Sequence, residues 1–326
     1  MREAICGIAQ RLRGVRARPE QVIVTSGSQL GLLMCLKILF SPGDKVWIED
    51  PQYPLLRAAT KTQDIVPVYV PVDNEGFNLQ TALALEPNAK GVFLTPSHQC
   101  PLGMLMSIQR RRNILQWASE SGGWIVEDDY DSELRYGGNL AYPSLQGMDS
   151  GNNVIYVGTF SKSLFPGLRL GYMVVPEELV KPFSGMRFLI DRQSNEILQM
   201  AVAEFIKTGL YETHLLKMRR IFEARRDYLI QAVQENFGDW GKFIATGQGM
   251  HLTFVFNNSD INDEAVADLC RRQGVELRSI SSFSIGTPLY KGLIMGFGHF
   301  PPAQLLAAVS RIGFVLRDKF AAFGPN

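Results

Sequence analysis

Cysteine is scarce, with four in 326 residues at Cys6, Cys35, Cys100 and Cys270. They are scattered and never paired as CxxC or CxxxC, so they offer neither a zinc site nor a disulfide framework and read as reduced thiols. A surplus of one charge is also missing. Lys and Arg number 33 against 32 Asp and Glu, a formal net charge of +1, which gives no pull toward nucleic acid or an anionic membrane. No stretch approaches the roughly 18 consecutive apolar residues of a membrane span. The opening MREAICGIAQRLRGV lacks the apolar centre of a secretory signal, and its Ile5, Ile8 and Leu12 recur at the spacing of one helical face. Internal repeats and low-complexity linkers are absent as well. The expectation is a cytoplasmic globular protein that touches no membrane and binds no nucleic acid through this chain itself.

What the chain does have is enough apolar material, 46% of residues, for a large core and a second, smaller lobe. Short β-rich runs at 21–25, 45–50, 65–70, 91–95, 123–128, 153–158 and 169–175 alternate with helical stretches at 28–40, 53–62 and 107–121, the last with Ser107 as N-cap. The runs are nearly all apolar, as in strands covered on both faces. The pattern predicts an α/β fold with a mostly parallel, seven-stranded, doubly wound sheet and helices on both faces. From 187 to 236 the pattern is helical. Arg219, Arg220, Arg225 and Arg226 alternate there with Leu215, Met218, Phe222 and Leu229, which predicts an amphipathic connecting helix with a solvated basic face. Strands at 251–256, 275–280 and 292–298, with helices near 262–272 and 301–320, predict a compact α+β lobe. The division expected is 1–210 for a large domain and 211–326 for the connecting helix and small domain.

Three places carry chemistry. T-S-G-S-Q at 25–29 lies where a strand gives way to a helix. Gly27 allows a tight turn there, and the helix-start N–H groups with the side chains of Ser28 and Gln29 could hold a phosphate, though a plain helix cap accounts for the same residues. V-E-D-D-Y at 126–130 closes an apolar strand, where ligands of open α/β sheets bind. An acid there is placed to meet a cofactor nitrogen, while Glu127 and Asp129 read equally well as a surface acidic turn. The third is T-F-S-K-S-L-F-P-G-L-R-L-G-Y at 159–172. Lys162 among small hydroxyl residues can form an imine with an aldehyde cofactor, helped by burial and nearby positive charge, and Arg169 offers a planar fork to a phosphate.

The ordered set GSQ, DxY and SK with PGLRLGY resembles class I/II aminotransferases of pyridoxal-phosphate fold type I. More narrowly, VTSGSQ, PxYP, TPSHQxPxG, EDDYDSE and GTFSKSLxPGLRLGY resemble the aminotransferase-like domain of MocR-type regulators in the GntR family, from Met1 to about residue 318. The resemblance implies pyridoxal 5'-phosphate as cofactor, held as a Schiff base on Lys162. Asp128 would pair with the ring nitrogen, Tyr130 would hydrogen-bond the phenolic oxygen, and Tyr53 would stack on the ring. Gly27, Ser28, Gln29, Thr159, Ser161 and Arg169 would gather the phosphate. It also implies a homodimer, and an amino acid or amine as the small-molecule partner. Two functions follow: an effector-sensing and dimerisation domain of a transcriptional regulator, or a working aminotransferase.

Two departures separate the chain from ordinary aminotransferases. The Asn-Pro-Thr-Gly turn is replaced by Cys100-Pro101-Leu102-Gly103, with Cys100 expected as a packed residue and His98 or Gln99 as candidates for a polar contact. The Arg that usually clamps the substrate carboxylate aligns with Ile294, which cannot do that work. His251 and His299 read as structural. Neither an N-terminal arm nor the winged helix-turn-helix of the regulators precedes Met1, so an absent upstream DNA-binding domain is part of the expectation.

Overall fold

The apolar runs of the first half become strands whose alternate side chains enter different layers. The structure is a computed structural model and describes residues 1–137, 142–192, 195–286 and 288–324. In chain order its elements begin with α1 (Arg2–Arg13), β1 (Val22–Thr25), α2 (Ser28–Leu39), β2 (Lys45–Asp50), α3 (Pro54–Thr62) and β3 (Val66–Asp73). Then come β4 (Gly76–Phe77), α4 (Leu79–Leu85), β5 (Gly91–Leu94), α5 (Ile108–Ser121), β6 (Trp124–Asp129), α6 (Leu145–Met148), β7 (Val154–Thr159) and β8 (Gly171–Val174). The remainder is α7 (Val180–Asp191), α8 (Glu196–Lys207), α9 (Leu210–Phe237), β9 (Gly241–Ile244), β10 (His251–Phe256), α10 (Asp263–Arg272), β11 (Arg278–Ser279), β12 (Gly292–Gly296) and α11 (Pro302–Lys319).

The large sheet runs β1-β8-β7-β6-β5-β2-β3-β4. Strands β3, β2, β5, β6 and β7 are parallel, and β8 lies antiparallel between β1 and β7. Seven strands were expected. The eighth, β4, is a two-residue hairpin partner of β3, too short to leave a periodic signature. Period-two alternation divides the core. Val22, Val24, Tyr156, Tyr172 and Val174 pack with Ile5 and Ile8 of α1 and Tyr211 and Leu215 of α9. Ile23, Ile155, Val157 and Met173 point the other way, onto Leu32 and Leu36 of α2 and Phe183 of α7. Ser107 caps α5 as expected, accepting from the Arg110 N–H, and Gly122 ends that helix at φ 71°.

The second sheet runs β11-β12-β10-β9. One face, with Leu252, Phe254, Leu293 and Met295, is sealed by α9, α10 and α11. The other carries Ile244, Thr253, Ile294 and Arg278, cross-strand neighbours in register. β9 went unseen in the sequence, and the strand expected at 275–280 shrinks to Arg278–Ser279. The run expected at 169–175 starts later because Pro166–Leu168 forms a 3-10 turn and Arg169 adopts φ 47°.

The basic face of α9 is a correction. Only Arg220 of the four arginines is exposed. Arg219 donates to the Glu133 carbonyl at 2.6 Å, Arg225 donates to the Gly298 carbonyl, and Arg226 lies 4.8 Å from the Tyr136 ring centroid. These guanidinium groups join the long helix to both sheets instead of facing water. No helix among the described residues is long and apolar enough to cross a membrane.

Candidate functional site

Parallel pairing brings the C-terminal ends of β6 and β7 side by side, and reversed β8 returns its first residue to the same edge. Thr25, Gly171 and Thr159 lie in register across β1, β8 and β7. The turns that follow these strands therefore meet, as expected of ligand sites in open α/β sheets.

At one end of this crevice stands the start of α2, capped by Gly27 at φ 114°, a conformation L side chains rarely adopt. A Cβ on Gly27 would lie 3.1 Å from the Arg169 guanidinium, and one on Gly171 would lie 2.8 Å from the Gly27 carbonyl carbon. The two glycines thus let backbone and guanidinium close on a small space. Arg169 is fixed by donating to the Ser26 carbonyl at 3.0 Å, and the Ser161 N–H donates to the Thr159 hydroxyl at 3.1 Å. Ser28 opens the helix. Gln29 donates to the Leu55 carbonyl at 3.3 Å, while its Oε1 is buried with no hydrogen-bond partner. All six residues expected to gather a phosphate therefore belong to the turns that meet at this edge, with the positive end of α2 directed there.

The other end is acidic and buried. Asp128, the penultimate residue of β6, has its Oδ1 buried and unpartnered. Burial, then the charges of Asp129, Asp131 and Glu49, push its carboxyl up to about 7. Such an oxygen lacks a donor or positive charge, which a protonated ring nitrogen would supply. Tyr53, the residue before α3, and Cys100 line the same small cavity as Asp128, with Glu49, Gln52 and Thr95. Tyr53 is half-buried, and its phenol is raised by burial and by Asp128 against opposing pulls from Arg169 and Arg278. Its electrostatic neighbours thus span both ends of the crevice. The Tyr130 hydroxyl lies 3.0 Å from His98 Nδ1, the two rings stack at 5.7 Å, and the same Nδ1 lies 2.9 Å from Asp131.

Two expectations need correction. Lys162 is exposed on this chain, not buried, because it sits in the turn after β7 and not in the strand. Its charge nevertheless reaches the cavity: the Cys100 thiol, raised by burial and by Asp128, is drawn down in part by Lys162. Glu127 and Asp129 are not a surface acidic turn. Glu127 is fully buried, accepts from the Leu145 and Gln146 N–H groups at 3.0 Å each, and is raised to about 7 by burial and Asp129. Asp129 accepts from Arg13 Nε at 2.6 Å and the Tyr156 hydroxyl at 2.8 Å, and Arg13 holds its carboxyl below the usual range against burial. Sequence reasoning missed Arg13, since nothing in an amphipathic helix marks its last arginine as an interior ion. Cys100 is partly buried, as expected of a packed residue. His251 Nε2 lies 3.0 Å from the Pro101 carbonyl, a structural contact, and His299 is exposed.

The sequence pattern of the aminotransferase class I and II family matches residues 1–295, and the chain belongs to that family. Among its relatives, the probable rhizopine catabolism regulatory protein MocR of Rhizobium meliloti is 35% identical over 327 residues, covering 99% of this chain and 64% of that protein. The HTH-type transcriptional regulator TauR of Rhodobacter capsulatus is 36% identical over 224 residues, 69% of this chain and 46% of that protein. The chain thus spans less than two thirds of the length of these regulators. The kynurenine aminotransferase of Pyrococcus horikoshii, solved with PMP, superposes with a TM-score of 0.89 at 25% identity, covering 98% of this chain and 80% of that one. The α-aminoadipate aminotransferase LysN of Thermus thermophilus, solved with N-(5'-phosphopyridoxyl)-L-leucine, gives 0.89 at 25% identity, covering 99% and 82%.

Proposed function

We propose that this chain is the pyridoxal-phosphate-binding, effector-sensing and dimerising domain of a MocR-type transcriptional regulator, and that its effector is an amino acid or amine. The observation that carries the reading is the buried, unpartnered Oδ1 of Asp128 at the end of β6, one cavity wall away from Tyr53. Pyridoxal phosphate supplies an aldehyde that condenses with amines and a ring that withdraws electrons from the bond so formed. The chain's own residues do the rest. Gly27, Ser28, Gln29, Thr159, Ser161 and Arg169 gather the phosphate. Asp128 holds positive charge at the ring nitrogen, Tyr53 covers a ring face, and Tyr130 offers a hydroxyl oriented by His98. Lys162 supplies the amine that anchors the cofactor and yields to an incoming amine.

The long similarity to regulators supports a sensor over a catalyst. Working transamination is the second reading, favoured by the intact set of Lys162, Asp128 and Tyr130. Homodimerisation is supported by the exposed apolar side chains Leu189, Ile197 and Met200 on α7 and α8, 71–82% accessible. The near-neutral charge supports DNA contact being made by another part of the regulator, and the scattered, unpaired cysteines support a cytoplasmic location.

The test is to load the protein with pyridoxal phosphate, add a panel of amino acids and amines, and follow the visible spectrum beside 2-oxo acid release. A spectral shift without 2-oxo acid supports the sensor. Stoichiometric or catalytic release of 2-oxo acid contradicts it and establishes the aminotransferase. Light scattering of the loaded protein checks the dimer, and a monomer would remove that part.

A further inference from the structure

Position 294 has lost the arginine that binds carboxylates, yet an arginine stands directly beside it. Arg278 on β11 is the in-register antiparallel partner of Ile294 on β12. Directly opposed residues of paired strands project from the same face of the sheet. The row Ile244, Thr253, Ile294 and Arg278 therefore shares one face, and Thr253 shows where that face looks. Its hydroxyl donates to the Pro101 carbonyl at 2.7 Å, so the row faces the large sheet beside Cys100. Arg278 ends the row, on the far side of Ile294 from Thr253. Its guanidinium lies 5.8 Å from the Phe283 ring centroid, and Phe283 in turn accepts at its carbonyl from the Gln52 N–H at 3.1 Å. Gln52 precedes Tyr53, whose phenol responds to Arg278 and Arg169 alike. The Ile285 N–H, two residues after Phe283, donates to Asp50 at 3.2 Å and ties the same segment to the end of β2. Arg278 forms no ion pair among the described residues and is exposed.

We infer that Arg278 binds the carboxylate of the incoming amino acid, taking over from the neighbouring strand the work that Ile294 cannot do. The effector is then an amino acid, not a simple amine. This rests on the reading of the crevice as a pyridoxal-phosphate and amine site. A planar guanidinium held at one face by Phe283 keeps its N–H edge free for a bidentate carboxylate. The group is a specificity determinant, and it acts on the substrate's charge, not on the reacting carbon.

The test uses two pairs of small probes on the loaded protein, with wild type, Arg278→Met and Arg278→Lys. Spectral titration compares L-alanine with ethylamine, which lacks the carboxylate. Calorimetry compares propanoate with propanamide, a pair that has no amine and needs no reaction with the cofactor. The expected result is that wild type prefers each carboxylate, and that Arg278→Met cuts the preference by about 10- to 100-fold, the range for a hydrogen bond to a charged group. Arg278→Lys should keep the charge preference in part and lose the bidentate fit. Ethylamine and propanamide should bind equally well to all three proteins. A preference unchanged in Arg278→Met, or absent from wild type, overturns the assignment. No spectral response of any protein to either amine, with propanoate still distinguished from propanamide, would defeat the amine-sensing reading and leave Arg278 a carboxylate site.

Discussion

Where β1, β7 and β8 meet, the groups facing the crevice are backbone N–H, hydroxyl and one guanidinium, set by two glycines and a turn. At the end of β6, the chain instead buries Glu127 and Asp129 and the Oδ1 of Asp128 between them, with Glu49, Asp131 and Glu133 also interior. The first region costs little when empty, because its donors bond neighbouring oxygens or are exposed. The second gathers carboxyl groups that only partly find partners: Asp129 has Arg13, while Asp128 has none at Oδ1. The contrast teaches that one end supplies shape and the other supplies unmet electrostatics, and a ligand negative at one end and positive at the other answers both.

Breaking the paired part of the acidic end should have the largest effect. Arg13→Met leaves Asp129 interior without its cation, and loss of one partner of a buried ion pair costs about 3–5 kcal/mol. Urea denaturation should show that drop, and a change below about 1 kcal/mol would mean that Asp129 is held by Tyr156 alone. At the other end, Gly27→Val meets both the φ of 114° and the guanidinium 3.1 Å away. The expected stability loss is about 1–3 kcal/mol, and pyridoxal-phosphate affinity should fall at least as far as in Arg169→Ala. Unchanged affinity by fluorescence titration would remove the cradle from the site.

The acidic end should also respond to pH. Burial raises Glu49, Glu127 and Asp128 to about 7 and Glu133 to about 8, from ordinary values of 4.5, 4.5, 3.8 and 4.5. The folded chain thus holds protons that the unfolded chain has released, and the stability they contribute is lost as pH rises through 7 to 8. His251, lowered to about 4 by burial and His98, acts in the opposite sense but only below 6.5. Between pH 6.5 and 8 the carboxylates act alone, so the cofactor-free chain should lose several degrees of Tm, a shift of about 1–2 kcal/mol. Asp128→Asn should reduce that slope. A flat or rising Tm across this window would contradict the burial of these groups.

The cradle was legible in the sequence because its residues are contiguous: a strand, Gly27 and a helix start, then Lys162 and Arg169 in one phrase. Most of the large sheet was legible for a similar reason, since strands covered on both faces are nearly pure apolar runs. Arg13 and the arginines of α9 were not, because their partners lie far along the chain and a charged residue in a helix carries no mark of burial. Arg278 was hidden by a short strand. With two residues, β11 has no periodicity, and its meaning comes only from its register with Ile294.

The most direct test of the central claim is the near-visible absorption of the protein with pyridoxal phosphate, wild type beside Lys162→Ala. The account predicts a Schiff-base band in the wild type that survives dialysis and is absent from Lys162→Ala, with both proteins equally folded by circular dichroism. The same band in both proteins, or in neither, would contradict it.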